Sequence, residues 1–233
     1  MSAAILATIL FSLSAVSGKR LSHYLTAVEA NLIRFIISAI LLGAYSSFYG
    51  LGLGGGAFVM FFISGIIGFG VGDYGLFRAY KIIGSRLTMI MTQCLAAPFA
   101  ATVEWLWLGS ELSFGQVLAG AGILVGVSLA LSPNKTSQID KKLWKTGVFW
   151  GFISAFGQGF GAVLSRKAGM MVDTGVSIDG LSAAYQRVLG GLAVMMFLFI
   201  AQKIIGYNRS SDSSRTDLSS ASFKWIFFLV LVN

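Results

Sequence analysis

Apolar residues in this chain recur in long unbroken runs rather than in the period-2 or period-3.6 stripes of a water-facing domain. Runs of this kind predict helices that cross a hydrocarbon layer, which takes about 20 residues for a core of about 30 Å. The first such span runs from Ala3 to Gly18 and ends at Lys19-Arg20. Its Ala15-Val16-Ser17 has the small-x-small look of a cleavage site, but a secretory leader wants its positive charge before the apolar stretch, so a permanent helix is the better reading. Span two covers Ala27 to Phe48, and a glycine-rich turn, Gly50 to Gly56, leads to span three, Ala57 to Tyr80. Span four covers Leu87 to Leu108 and span five Phe114 to Leu131, closed by Ser132-Pro133-Asn134. Span six is Leu143 to Leu164 and span seven Leu181 to Ala201. A serine- and charge-rich loop, 203–222, reads as mobile, and a last apolar run begins at Phe223 and reaches only Asn233. So short a run cannot span a bilayer, so the expectation is a fragment of a longer chain.

Composition strengthens this picture. The 233 residues are 56% hydrophobic and 11% charged, with mean hydropathy +0.80, whereas a soluble domain carries about 25% charged residues. A water-soluble enzyme, a disordered chain and a nucleic-acid binder are all disfavoured. The net charge of +8 comes from basic residues that sit mostly between apolar runs, as membrane-flanking charge rather than a phosphate-tracking groove. Cys94 is the single cysteine and forms no internal disulfide.

Two stretches of the chain look alike. Ala15-Val16 aligns with Ala162-Val163, Lys19-Arg20 with Arg166-Lys167, and Arg34 with Arg187. In each copy an apolar helix ends in a basic pair and the next helix carries one embedded arginine. The predicted fold class is an all-α integral membrane bundle of inverted five-helix repeats, the second incomplete. The expected divisions are a first repeat at 1–132, a polar connector at 133–142 and the start of a second repeat at 143–233. An odd number of helices per copy turns the second copy upside down.

Ionisable groups inside a membrane are expensive and point to function. Asp73, midway through span three, is a candidate substrate or proton site, or else an internal ion pair with Arg78 or Lys81. Glu104 lies near the end of span four beside Trp105 and Trp107, where a carboxylate close to water costs little. Arg34 and Arg187 could grip an anionic substrate group through their planar forks, or snorkel to a headgroup. Ser14, Tyr74, Gln93 and Gln158 are uncharged polar groups that either line a cavity or bond across a helix pair. Pro98 frees a backbone carbonyl, so a kink is expected in span four. Glu111 reads as a cap on span five. The glycines of 65–75 lack the setting of a phosphate loop and read as a close helix-packing surface. His23, alone in a loop, gives no metal-ligand spacing, and neither metal nor other cofactor is expected.

The stretch Gly68-Phe69-Gly70-Val71-Gly72-Asp73-Tyr74-Gly75-Leu76-Phe77-Arg78-Ala79-Tyr80 resembles the third helix of EamA-type members of the drug/metabolite transporter superfamily. Ile83-Gly84-Ser85-Arg86, Pro98 and Leu108-Gly109-Ser110-Glu111-Leu112 extend the resemblance. It implies ten helices in two inverted five-helix repeats, and outward movement of small metabolites, often amino acids, by alternating access. It implies no enzyme activity, and the single histidine and cysteine make catalysis a poor reading; a non-transporting membrane scaffold is the other alternative. Coupling to protons or another gradient would run through Asp73 or Glu104. The expected partners are a small-molecule substrate and the lipid bilayer, with a homodimer open and no nucleic acid. The expected location is the plasma membrane, as a multi-pass protein. Lys and Arg concentrate after spans one, three, five and seven, which puts the N-terminus outside, whereas the resemblance implies a cytoplasmic one.

Overall fold

A computed structural model describes residues 25–130, 141–172 and 178–204, together with Val16. Span one, Ser14, His23, the connector 133–140, most of the loop 203–222 and the last apolar run lie outside the described residues.

All the regular structure described is helical. Helix α1, Ala27–Tyr49, opens on a reciprocal cap: the Glu29 amide donates to Thr26 Oγ1 at 3.2 Å, and the Thr26 amide donates to Glu29 Oε2 at 2.8 Å. Helix α2, Phe58–Gly65, runs on through a π-helical segment, Ile66–Gly72, into α3, Asp73–Leu108. Helices α4, Phe114–Ala130, α5, Lys141–Met170, and α6, Gly180–Ile204, follow.

Four helical stretches are long and apolar enough to cross a membrane, and one of them, Phe58–Leu108, is 51 residues long. A straight helix of that length would measure roughly 76 Å, more than twice the hydrocarbon thickness. It reverses at Gly84, whose φ of 79° and ψ of 166° are open only to glycine. Packing along α5 confirms the reversal. Before Gly84, Ile83, Gly75 and Gly68 meet Gly147, Trp150 and Gly161 in turn, so this arm runs antiparallel to α5. After it, Gly151 meets Met91, Gly159 meets Ala96 and Arg166 meets Glu104, so this arm runs parallel. Spans three and four are therefore two passes joined without a loop, where a polar gap at 81–86 was expected. Tyr80 Oη donating to Met89 Sδ at 3.2 Å bridges the two arms.

Pro98 sits inside the second arm without breaking its helical dihedrals; the departure from helical geometry lies at Gly84 instead. Glu111 is exposed and does not cap α4. Ser113 and Gln116 do so by a mutual pair of hydrogen bonds, Ser113 N to Gln116 Oε1 at 2.9 Å and Gln116 N to Ser113 Oγ at 3.3 Å.

Helix α1 packs antiparallel to α6: Ser46 meets Ser182, Gly43 faces Tyr185, and Phe35 reaches Gly191. That is the relation expected of the second helices of two inverted copies. The glycine-rich run of α2 and the π segment lies between α5 and α6. On one side a Cβ on Gly157 or Gly161 would come within 2.8 Å of the Cα of Gly72 or Gly68. On the other, a Cβ on Gly65 would collide with the carbonyl oxygen of Arg187, and one on Gly190 with that of Phe62. Backbones approach this closely only where side chains are missing, and the two Gly-xxx-Gly pairs are the membrane form of that device. The glycines are thus a packing surface.

Candidate functional site

Three helices converge on Asp73. It is buried, at 4% exposure, at the point where the π segment passes into α3. Its Oδ2 pairs with Arg34 Nη2 from α1, and its Oδ1 accepts from Gln158 Nε2 of α5 at 2.8 Å. The ion-pair partner is therefore Arg34, from another helix, and not Arg78 or Lys81 on its own. Asn31, one turn before Arg34, donates from Nδ2 to the Ala27 carbonyl at 3.1 Å and to the Asp73 carbonyl at 3.3 Å. Arg34 also lies over the Phe35 ring, 4.6 Å from its centroid.

Arg187 of α6 lies in the field of the same carboxylate, but it forms no ion pair with Asp73 and does not line the adjacent cavity. Its guanidinium lies 4.5 Å from the centroid of Phe69, and no hydrogen-bond acceptor reaches its buried Nε; the buried Nε of Arg34 is likewise unpartnered. The two arginines aligned by the internal repeat thus lie near one carboxylate, Arg34 paired with it and Arg187 not.

A cavity of about 230 Å³ opens on this group. Its polar wall is Arg34, Asp73, Gln158, Gln93, Thr92 and Ser38, and its apolar wall is Phe35, Phe69, Leu76, Met89 and Val188, with Tyr80 toward the Gly84 turn. Hydrogen bonds tie the opposite end of the bundle. Ser46 Oγ and Ser182 Oγ are 2.7 Å apart, Ser182 Oγ donates to Asp179 Oδ2 at 2.6 Å, and Gln186 Nε2 donates to the carbonyls of Gly52 and Gly54 at 3.0 and 3.1 Å.

The other candidates divide by position. Gln93 and Gln158 line the cavity. Tyr74 does not; its ring packs edge-on against Trp150, 5.5 Å between centroids. Glu104 is remote, at the far end of α3, where Oε2 accepts from Arg166 Nη1 at 2.6 Å in an exposed pair. Ser14 lies outside the described residues. Asn31, Ser38 and Thr92 went unnoticed in the sequence, although Asn31, Arg34 and Ser38, at i, i+3 and i+7, mark one polar face on an otherwise apolar helix. Among the described residues no cluster of His, Cys, Asp and Glu could hold a metal ion.

A buried carboxylate held by groups from three helices thus faces a small cavity inside a bundle of helices long and apolar enough to cross a membrane. Comparison with curated proteins returned no match. The family model described as the EamA-like transporter family matches residues 1–132, more than half of the chain, and the chain belongs to that family of membrane transporters.

Proposed function

We propose that this protein moves small metabolites of about amino-acid size outward across the plasma membrane by alternating access, with the cavity beside Asp73 as the substrate site. The observation that carries the reading is the Arg34–Asp73–Gln158 constellation, which joins α1, α3 and α5 beside the cavity. Placing such groups in lipid is costly unless they serve binding, and discontinuities in the adjacent helix are common at transport sites. Here the discontinuity is the π segment Ile66–Gly72, which ends beside Asp73. Rocking of the α5–α6 half against α1–α3 would break the Ser46–Ser182 and Gln186–Gly52 contacts at one end and open the cavity there. The smooth glycine surface between the halves suits such sliding. Any coupling ion would act at Asp73, the one buried carboxylate among the described residues.

Cells that express the protein should gain resistance to toxic levels of one class of compound, in a screen across amino acids, related acids and nucleosides. Asp73→Asn, inserted in the membrane at the parent level, should abolish that resistance. Full resistance with Asp73→Asn would remove this site from the transport path.

A further inference from the structure

Among the described residues the site is electrically unbalanced. Arg34 and Arg187 bring two positive charges to one carboxylate, Asp73. No other acidic residue among those described is buried, and residues 1–24 contain no Asp or Glu at all. An uncompensated charge at this depth is costly, and a bound anion removes the cost. Both arginines keep a buried Nε–H without an acceptor, and Arg34 lines the cavity.

A cation finds no equivalent place. Both oxygens of Asp73 are already taken, by Arg34 and by Gln158. Two of the three aromatic rings that line the cavity, Phe35 and Phe69, already carry guanidinium groups at 4.6 and 4.5 Å. What remains is an apolar wall of Phe35, Phe69, Leu76, Met89 and Val188, the uncharged Ser38, Thr92 and Gln93, and one lining cation, Arg34.

We propose that the cavity takes a small organic monoanion with an apolar body, its carboxylate on Arg34 and in the field of Arg187, in preference to a zwitterion or a neutral compound of the same shape. This rests on the carrier reading for its biological meaning and narrows that reading's solutes to the deaminated, acidic members of the amino-acid-sized class. The carboxylate gains charge-assisted hydrogen bonds from a planar fork, while an added ammonium group loses its water and meets net positive charge.

The test uses the purified full chain in nanodiscs and three compounds with a similar branched tail: 4-methylpentanoate, its amide, and L-leucine. Titration calorimetry should show 4-methylpentanoate binding roughly tenfold or more tighter than the amide or L-leucine, the scale of one charge-assisted hydrogen bond. Arg187→Gln, which breaks no hydrogen bond of its side chain, should lower affinity for the acid by a similar factor and leave the amide unchanged. Equal affinity for acid and amide, tighter binding of L-leucine, or no binding of the acid would each overturn the proposal. Flux of the three compounds through vesicles is read separately. Carriage of L-leucine as readily as the acid would keep the carrier and discard the anion preference. A clear preference in binding without flux of any of them would do the reverse.

Discussion

The centre and the rim of this bundle carry the same kinds of residue and use them differently. Each has one arginine–carboxylate pair. Arg34 and Asp73 meet at the centre with side-chain exposures of 8% and 5%, whereas Arg166 and Glu104 meet at the rim with 54% and 22%. Each also has a glycine-rich helix. A Cβ on Gly65, Gly157 or Gly161 would run into neighbouring backbone, but one on Gly120, Gly122 or Gly126 of α4 would meet nothing within 4 Å. Residue type therefore says little until depth is known. At the centre, burial turns a pair into an obligation, because neither charge can be left alone; at the rim, water stands in for a lost partner.

Breaking the central pair should have the largest effect. Asp73→Leu leaves Arg34 buried without its carboxylate and should cost about 3–5 kcal/mol, read by thermal unfolding in detergent. The double change Arg34→Met with Asp73→Leu removes the paired charges and should recover part of that stability, because an apolar pair of similar volume is often as good while Arg187 still lacks its carboxylate. It should still carry no substrate. A double variant as unstable as the single would show that the pair holds the fold by more than mutual neutralisation.

Glycine contacts give the second largest contrast. Gly65→Ala drives a methyl group into the Arg187 carbonyl and should cost about 1–3 kcal/mol by overpacking, with α6 displaced. Gly120→Ala, in open space, should be neutral or stabilise by up to about 1 kcal/mol, since glycine is the poorer helix former. Parallel unfolding curves for the two variants would show that the glycine surface carries no packing load.

How much of this was legible in the sequence follows the same division. The helical spans, Asp73 and the matched arginines could be read because a charge inside an apolar run stands out against its neighbours. The partner of Asp73 could not, because Arg34 lies on another helix, 39 residues away, and local spacing pointed to Lys81. Nor could the missing loop at 81–86: Lys81, Ser85 and Arg86 look like a polar connector, yet one glycine at positive φ reverses the chain within the helical run. Glu111 misled for a related reason. Its charge suggested a cap, but capping geometry favours the residue directly before the helix, and that is Ser113. Glu104 and Asp73 looked alike as embedded carboxylates, and only packing separated them.

A third carboxylate, Asp179, sharpens the rim side. It caps α6, accepting from the amides of Leu181 at 3.0 Å and Ser182 at 2.9 Å and from Ser182 Oγ at 2.6 Å. The hydrogen bonds from Ser182 and Leu181 hold its pKa below the ordinary carboxylate value. A depressed folded-state value means that its stabilising effect is complete above the unfolded value, about 3.9, and fades as pH falls through the lower folded one. Asp179→Ala should cost about 1 kcal/mol at neutral pH, as loss of a helix cap does, and its gap from the parent should narrow as pH falls below the unfolded value of about 3.9. A gap that persisted undiminished in acid would mean that the charge plays no part in the cap.

The smallest effect is expected where the sequence most invited a large one. Glu104 is a carboxylate in an apolar span just before two tryptophans, yet its partner Arg166 is more than half exposed and neither residue lines the cavity. Glu104→Gln should change stability by less than about 1 kcal/mol, fade further in high salt, and leave substrate flux within about twofold of the parent. The pair joins the end of α3 to the end of α5, so any residual effect should appear in the rate of opening at that mouth rather than in substrate affinity. Loss of flux at unchanged affinity would make the exposed pair a latch between the two halves; loss of affinity would break the division between centre and rim, because depth would then no longer tell which carboxylate the substrate meets.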